Sequence, residues 1–393
     1  MTTTTEINRR RTNEYAHHER GETGEMTRKA GLTYAESGVD MRKEDIAMER
    51  IIPIFERTFR YRRGVGECIA GIGHFAGLVR LNKRQALAIK TDGVGTKIFI
   101  AELLQKYDTI GIDCVAMNVN DIICTGAEPT SFVDYIAIQD PDPDLIEQVA
   151  IGLKKGAEIA KINIVGGETA VVPEMIRGMK EGRGLDLVGM CVGIADPENI
   201  IDGKRVKEGD VLLGISSSGL HSNGYTMARK ILLEKMQFDL SKHFAELGRT
   251  LGEELLEPTY IYVPEILKML KENLDIKLMA HITSRGFLNL NRVGKGYGYV
   301  IEDLHKPPPP IFKLIQRYGN VTDEEMYSRF NMGIGMCIVL PKKDVDAAIQ
   351  LVEKHDKDAF ILGHAKKDPS RSIVIKPLGI LGVPKEQTFK KYH

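Results

Sequence analysis

One short stretch crowds an acid, two glycines and a lysine together, with the sequence TDGVGTK at residues 91–97. An apolar run at 86–89 precedes it and predicts a buried strand. Glycines at a strand exit let backbone N–H groups approach an anion closely, because they carry no Cβ. Asp92 could hold a cation and Lys97 could meet a phosphate oxygen. A Gly-rich turn with a solvated lysine is the alternative, and this stretch alone leaves both open.

A second set of oxygen-bearing side chains lies in segment 111–126, which contains no basic residue. Asp113, Met117, Asn120 and Asp121 are spaced at i, i+4, i+7 and i+8, so a helix would place them on one face. Helix capping explains Asp113, but Asn and Asp are poor helix formers in the middle of a segment. The pattern favours a cation site that another acid completes.

That further acid is Glu168, which lies in the string GGETA at 166–170, directly after a predicted short strand at 162–165. Mg²⁺ takes few protein carboxylates and shares the phosphates of a nucleotide. The sequence therefore predicts a Mg²⁺–polyphosphate site made by Asp92, Asp121 and Glu168.

A glycine-rich segment at 64–77 predicts a mobile flap over phosphates. Within it, His74 could contact a ligand, although a solvated loop histidine is the alternative. No apolar strand precedes this segment, so it does not fit the dinucleotide fingerprint, and TDGVGTK lacks the spacing of a P-loop. Both familiar nucleotide motifs are excluded.

The second half of the chain has its own candidate, the polar loop SSSGLHSNGY at 216–225, between a predicted strand and a predicted helix. Unpaired N–H groups at a helix start can bind an anion. The alternative is that Ser222 or Asn223 only caps the helix.

Composition is that of a globular protein, with 393 residues, 42% apolar and 27% charged, and 54 basic against 54 acidic groups. The charge balance argues against nucleic acid or an anionic membrane as partner. We find no run long enough to span a membrane and no signal-peptide core. The five cysteines form no CxxC pair, which favours buried free thiols and a cytoplasmic location.

Alternating strands and helices predict an α/β protein of two domains. Residues 1–30 are polar and predict a disordered extension. We expect a first domain at 31–198 and a second domain at 199–393, with the turn at 196–199 as boundary. The polyproline run at 307–310 predicts a surface spacer.

In their order along the chain, these motifs resemble the phosphoribosylformylglycinamidine cyclo-ligase (aminoimidazole ribonucleotide synthetase) family of the PurM-like superfamily. The resemblance extends from about residue 32 to beyond residue 340. The strings that carry it are LTY at 32–34, GVD at 38–40, TDGVGTK at 91–97, DTIGID at 108–113, VND at 119–121, GAEP at 126–129, GGETA at 166–170, GLHSNGY at 219–225, EPT at 257–259, MY at 326–327 and FN at 330–331.

The resemblance implies a PurM-like fold in which the N-terminal sheets of a homodimer pair into a β-barrel and the C-terminal domain has a mixed sheet with flanking helices. It implies ATP and Mg²⁺ as cofactors and leaves K⁺ open. The reaction it implies is ATP-dependent closure of formylglycinamidine ribonucleotide to aminoimidazole ribonucleotide, with ADP and phosphate released.

The resemblance also implies residue roles, with Lys97 and His221 catalytic. The ATP-binding set is Gly71, Gly73, His74, Asp92, Gly93, Lys97, Asp113, Asn120, Asp121 and Glu168. The substrate-binding set is Thr91, Ser218, Gly219, His221, Ser222, Asn223 and Thr283.

Two departures stand out. The family carries Thr-Gly-Gly-Gly where this chain has Thr283-Ser284-Arg285-Gly286, and His74 replaces a flap glycine. Arg285 could therefore contact a phosphate or narrow the site.

The alternative functions are those of other PurM-like ATP users or of a nucleotide-binding paralogue without turnover. A selenophosphate synthetase needs a reactive flap thiol, for which Cys68 is a loose match. A carbamoyl dehydratase ends in cysteine, and thiamine-phosphate kinase lacks the His-Ser-Asn-Gly-Tyr spacing.

Overall fold

The computed structural model describes most of the chain beyond residue 40. The described residues are Gly38, 41–304, 306–384, Glu386 and 388–392. The extension predicted at 1–30, the LTY string and most of the GVD string lie outside them.

The first half builds a five-stranded sheet in the order β1-β2-β5-β3-β4, antiparallel except for the parallel pair β3–β4. Its strands are β1 Gly77–Arg80, β2 Ala86–Gly93, β3 Glu128–Ile138, β4 Asn163–Val171 and β5 Leu185–Ala195. The helices of this half are α1 Met41–Glu56, α2 Ile98–Leu104, α3 Ile110–Ile123 and α4 Pro143–Ala160.

One face of this sheet is covered by α3, whose residues are all buried. The helix lies unusually close to its neighbour α4, because glycines face each other at the crossing. A Cβ added to Gly111 would come within 2.2 Å of the Leu153 nitrogen, and one added to Gly152 within 2.7 Å of the Asp108 oxygen. The missing side chains therefore fix the position of α3 between its sheet and α4.

The second half builds an eight-stranded mixed sheet in the order β15-β14-β13-β10-β12-β6-β11-β9, with a separate hairpin β7–β8. Its strands are β6 Val211–Ser216, β7 His243–Phe244, β8 Arg249–Thr250, β9 Leu278–His281, β10 Tyr297–Ile301, β11 Ile334–Leu340, β12 Ala359–Lys367, β13 Ile373–Ile375, β14 Ile380–Gly382 and β15 Lys390–Lys391.

Flanking helices cover this second sheet. They are α5 Tyr225–Arg229, α6 Leu251–Leu255, α7 Val263–Lys271, α8 Pro310–Gly319, α9 Asp323–Arg329 and α10 Val345–Glu353. Single turns of tighter helix occur at Arg57–Tyr61, Gly95–Lys97, Gly286–Asn291, Lys342–Asp344 and Lys376–Leu378, and a wider π-helical turn at Lys230–Lys235. The polyproline run ends where α8 begins, which suits the fixed φ of proline at a helix start.

The two halves meet at α3, because α7 of the second half packs against it and against α4. The predicted strands at 86–89 and 162–165 correspond to the starts of β2 and β4. The α/β prediction with two sheets is confirmed, whereas the domain limits at 31–198 and 199–393 stay predictions. Across the described residues, we find no helix with the length and apolar character needed to cross a membrane.

Candidate active site

The end of β2, the last turn of α3 and the end of β9 bring four charged or polar side chains together. We call Lys90, Asp92, Asp121 and His281 the open cluster. The Lys90 ammonium lies 3.1 Å from Asp92 Oδ2 and 2.9 Å from Asp121 Oδ2. The His281 Nδ1 lies 2.9 Å from Asp121 Oδ1. Because a carboxylate only accepts, this ring nitrogen carries the hydrogen.

The charges of the open cluster support one another. Burial would lower the pKa of Lys90, yet the carboxylates of Asp121 and Asp92 raise that pKa above its usual range. Burial would likewise raise the pKa of Asp121, but the hydrogen bond from His281 and the charge of Lys90 lower it. The Asp92 side chain keeps 33% of its surface exposed, so the cluster is open to a ligand on that side.

The predicted flap lies next to this cluster. Residues of the flap, including Gly71, Gly73 and His74, line a cleft of about 660 Å³ together with Lys90 and Thr91. These two β2 residues connect the cleft to the open cluster. The cleft therefore joins the Gly-rich segment to the strand exit that the sequence singled out.

His74 itself has protein partners. Its Nδ1 accepts a hydrogen bond of 2.8 Å from the Phe75 N–H, so its Nε2 carries the hydrogen and donates to the Ile201 carbonyl at 2.9 Å. Burial lowers the pKa of His74. The Arg292 Nε also donates to the Gly73 carbonyl at 3.1 Å. The flap is thus held against the second half, and a ligand role for His74 stays a prediction.

A second group of polar side chains on α2's entry turn and on α3 is sealed from solvent. We call Lys97, Asp113 and Asn120 the closed cluster. The Lys97 ammonium lies 2.8 Å from Asp113 Oδ2, and both side chains are 0% exposed. It also donates to the Glu257 carbonyl at 2.6 Å. Burial lowers the pKa of Lys97 against the opposing charge of Asp113.

The remaining polar atoms of the closed cluster bind a segment without regular secondary structure at 257–262, here called the strap. Asp113 Oδ1 accepts from the Thr259 N–H at 2.8 Å and from the Thr259 hydroxyl at 2.6 Å. Asn120 donates to the Tyr260 carbonyl at 2.8 Å and accepts from the Tyr262 N–H at 2.9 Å. The hydrogen bonds of the closed cluster are therefore made to other residues of the protein. ATP binding by Lys97, Asp113 and Asn120 stays a prediction.

The loop 216–225 lies on the other side of the strap. Ser218 Oγ donates to the Pro258 carbonyl at 2.6 Å, and Ser222 Oγ lies 3.3 Å from Thr259 Oγ1. The Asn223 side-chain nitrogen lies 3.9 Å from the Met117 sulfur. Three of the predicted substrate contacts (Ser218, Ser222 and Asn223) therefore lie at the junction of the two halves, whereas the Gly219 carbonyl accepts from Ser217 and Asn331 of the second half.

His221 occupies the centre of this loop with φ of 62°, a left-handed conformation that is uncommon for residues other than glycine. Its Nε2 accepts a long hydrogen bond of 3.3 Å from the Ser218 N–H. Its Nδ1 is buried, with no hydrogen-bond partner among the described residues. Burial, with the neighbouring charges of His281 and Lys97, lowers the pKa of His221 well below its usual range. The neutral ring therefore carries its hydrogen on Nδ1.

Glu168 is not brought together with the other two predicted metal ligands within one chain. Across the sheet, Asp92 of β2 is in register with Asp134 of β3, with β5 between them. Glu168 of β4 is in register with Tyr135, the next residue of β3. Adjacent strand residues point to opposite faces, so Glu168 lies on the face opposite to Asp92. Three strand spacings also separate them, which is roughly 14 Å. Among the residues that the structure describes, no group of three His, Cys, Asp or Glu could hold a metal.

The departure at 283–286 forms a tight turn, in which the Gly286 N–H donates to the Thr283 carbonyl at 2.8 Å. The Arg285 guanidinium makes an ion pair with Asp45 on α1. Arg285 is thus engaged by the N-terminal helix, and its predicted phosphate contact stays a prediction.

Sequence reasoning missed three residues of this region: Lys90, His281 and Thr259. Lys90 could have been found, because it lies two residues before Asp92 and therefore on the same face of β2. His281 and Thr259 are distant in sequence from their partners, so no spacing links them, although Thr259 belongs to the EPT string at 257–259.

Comparison with known proteins places the chain in a family. The family model described as AIR synthase related protein, N-terminal domain, matches residues 73–195, and the model of the C-terminal domain matches residues 207–376. These two models together span most of the chain, and their boundary falls between the two sheets.

Curated relatives are similar along nearly their whole length. A phosphoribosylformylglycinamidine cyclo-ligase of Methanobrevibacter smithii is 45% identical over 324 residues, covering 82% of this chain and 92% of that protein. One of Pyrococcus horikoshii is 46% identical over 351 residues, covering 89% and 99%.

The fold is also found in a solved structure of AaThiL complexed with AMPPCP and TMP. The TM-score is 0.55 at 15% identity, and the match covers 86% of this chain and 96% of that chain. At this identity the likeness concerns the fold alone, which confirms the predicted two-domain PurM-like architecture. From the two family models and the relatives at 45–46% identity, the chain belongs to the phosphoribosylformylglycinamidine cyclo-ligase family.

Proposed function

We propose that the chain catalyses the ATP-dependent closure of formylglycinamidine ribonucleotide to aminoimidazole ribonucleotide, releasing ADP and phosphate. The observation that carries this proposal is the 45–46% identity to relatives named phosphoribosylformylglycinamidine cyclo-ligase, over more than four fifths of the chain. The open cluster and the His221 loop supply the polar groups that such a reaction needs.

The chemistry requires activation of an amide oxygen, which is a poor leaving group. Its attack on the γ-phosphorus of ATP forms an O–P bond and releases ADP. A nitrogen of the same substrate then attacks the activated carbon, the C–O bond breaks, and phosphate leaves with loss of a proton. Such a sequence needs positioning and charge neutralisation more than a protein nucleophile.

ATP binding is proposed for the cleft between the flap and the open cluster. AaThiL, which shares the fold, was solved with the ATP analogue AMPPCP. In this chain Lys90 supplies a positive charge beside Asp92 and Asp121, and Gly71 and Gly73 line the cleft. A lysine at this position can neutralise phosphate oxygens as a point charge.

Mg²⁺ is the cation that we propose for the open cluster. The oxygen donors of Asp92 and Asp121 are of the hard type that Mg²⁺ prefers, and the partly exposed carboxylate of Asp92 can reach a cation on its open side. The bound ion would offset the charge of the triphosphate. Glu168 of the same chain is too far away to share this ion, so any carboxylate from that position has to come from a second copy of the chain.

A homodimer is proposed, with the first sheet as its interface. The face of this sheet opposite α3 exposes several large side chains, and β4 is an open edge. Exposed fractions are 43% for Tyr135, 41% for Met190 and 66% for Val165. Exposed apolar sheet faces and free edges favour association. A second copy could complete a barrel and bring its own Glu168 towards the site.

A cytoplasmic location is also proposed. All five cysteines are free thiols, and four of them are buried. Free buried thiols are typical of reducing compartments.

The test is a product assay with purified protein. Phosphate release from Mg·ATP should require formylglycinamidine ribonucleotide and should yield aminoimidazole ribonucleotide in equal amount. Exchange of K⁺ for Na⁺ in the same assay checks the open question of a monovalent cation. Phosphate release without the product would assign the chain to another ATP-dependent reaction. Failure of both, with ATP still bound, would indicate a paralogue without turnover.

A further inference from the structure

We infer that the strap is a positioning element, through which the closed cluster of the first half fixes the hydrogen-bonding geometry of the His221 loop in the second half. Lys97, Asp113 and Asn120 then act on the substrate only through the strap. The inference rests on the proposed function for its kinetic consequence, but its structural part stands on contacts within the chain.

The first half holds the strap with five hydrogen bonds from three buried side chains. Glu257, Thr259, Tyr260 and Tyr262 are their partners, and the bonds are 2.6–2.9 Å long. Four of the five involve strap backbone groups. Backbone that belongs to no helix or strand must satisfy these groups elsewhere, and here buried side chains supply the partners.

The other side of the strap holds the loop. Besides the bonds from Ser218 and Ser222, the Tyr262 hydroxyl donates to the Ser216 carbonyl at 2.8 Å. The rings of Tyr260 and Tyr262 flank the His221 ring, with centroids 6.4 and 6.3 Å away. The strap therefore contacts the loop at its start, at its middle and near its end.

The bonds at Thr259 also set the direction of a hydrogen bond in the loop. The Thr259 hydroxyl has one hydrogen, and the Asp113 carboxylate 2.6 Å away can only accept it. Ser222 must then donate its own hydrogen to Thr259 Oγ1. What Ser222 offers a ligand is an acceptor, so it suits an N–H or O–H group and disfavours another acceptor. The substrate's amidine and formamide N–H groups belong to this class of donor.

The family resemblance implies ATP binding for Lys97, Asp113 and Asn120, whereas the contacts with the strap give these residues a different role. A positioning role also explains why the group is fully buried. A buried carboxylate paired with an ammonium and two further donors keeps its place, whereas an exposed one would move with its side chain.

The test uses Thr259→Val, which keeps the shape and removes the hydroxyl, and Thr259→Ser, which keeps the hydroxyl. Hydrogen exchange of the full-length protein is measured first, because it does not depend on turnover. We expect faster exchange of amides in 217–223 in Thr259→Val, no change at 90–93, and rescue in Thr259→Ser. Unchanged exchange in the loop would overturn the inference, whatever the activity.

Kinetics then test the link to substrate. A hydrogen bond to a charged group contributes enough that we expect a roughly 10- to 100-fold loss in kcat/KM for the ribonucleotide in Thr259→Val, with KM for ATP changed less than about twofold. Ser222→Ala added to Thr259→Val should cost little more, since Thr259→Val has already removed the bond between Ser222 and Thr259. Equal losses for both substrates, or fully additive losses in the double variant, would contradict the inference.

Tyr262→Phe covers the case in which Thr259→Val does not fold. This change removes only the bond to the Ser216 carbonyl at the far end of the strap. We expect the same direction of change in loop exchange, at smaller amplitude, and no effect would count against the strap. If the wild-type protein makes no aminoimidazole ribonucleotide, the proposed function fails while the exchange measurement still decides the inference.

Discussion

The molecule contains two lysine–aspartate pairs that look alike in sequence and differ in structure. Lys90 pairs with Asp121 and Lys97 pairs with Asp113, so both pairs join the β2 region to α3. In the first pair the lysine keeps 15% of its side chain exposed and its pKa is raised. In the second pair both side chains are sealed and the pKa of the lysine is lowered by burial.

The difference teaches what each pair can do. A pair with a partly exposed neighbour, such as Asp92, can exchange protein partners for phosphate or a cation. A sealed pair can exchange partners only if the halves of the molecule separate. Residue type therefore did not distinguish a ligand site from a buried connection, and solvent access does.

The largest expected effect tests the sealed pair. Lys97→Met should lower the free energy of unfolding by about 3–5 kcal/mol, because it leaves the Asp113 carboxylate buried without its counter-charge. Urea unfolding monitored by circular dichroism measures the change. Lys90→Met is the matched control and should cost clearly less, because Asp121 keeps its bond to His281. Equal costs for the two variants would remove the distinction between the clusters.

The next effect tests the open cluster as a nucleotide site. Asp92→Asn removes a charge and keeps the shape, so Mg·ATP affinity should fall roughly 10- to 100-fold, as when a metal site is weakened. Calorimetric titration measures it, with Asp140→Asn at an exposed turn as control. A variant that binds Mg·ATP as tightly as the wild-type protein would show that Asp92 has been given the wrong role.

A smaller effect concerns pH. The pKa of His221 is lowered in the folded state. Below the ordinary histidine pKa of about 6.5, the unfolded chain therefore binds more protons at this residue than the folded protein does. Stability should therefore decrease as pH falls through that value, by up to about 1.4 kcal/mol per pH unit from this group. His74, whose pKa is also lowered, adds in the same direction.

The measurement is urea unfolding between pH 7.5 and pH 5.5. His221→Asn should flatten the slope of the unfolding free energy against pH. The same shift predicts no titration of His221 near pH 6.5 in the profile of kcat/KM. A slope that is identical in His221→Asn and wild type would show that the buried ring does titrate normally.

The smallest effect is expected for Glu168→Gln, because this side chain belongs to neither cluster within one chain. The free energy of unfolding should change by less than about 0.5 kcal/mol, as for other exposed positions. Mg·ATP affinity should fall less than in Asp92→Asn, as calorimetric titration would show. A loss as large as that of Asp92→Asn would mean that Glu168 reaches the nucleotide, which requires a second copy of the chain.

Much of the fold was predictable because its signals are local. The apolar run before Asp92 covers residues 86–89, and the spacing of the polar face of α3 falls within its 14 residues. The site was less predictable, because its partners come from distant parts of the chain. Asp113 meets Thr259 and Asp121 meets His281 across separations of 146 and 160 residues. The spacing predicts that Asp113, Asn120 and Asp121 share one face of α3. It does not predict which of these residues the strap buries and which belongs to the open cluster.

That face has a consequence for how such a protein can vary. Asp113 and Asp121 are eight residues apart on α3, so the two clusters are separated by a rise of about 12 Å. Inserting or deleting one residue between them would rotate one relative to the other by about 100°. No intermediate spacing exists, and the glycine contact at Gly111 prevents the helix from sliding to compensate. Variation in length is therefore expected in the loops of this chain and excluded from the middle of α3.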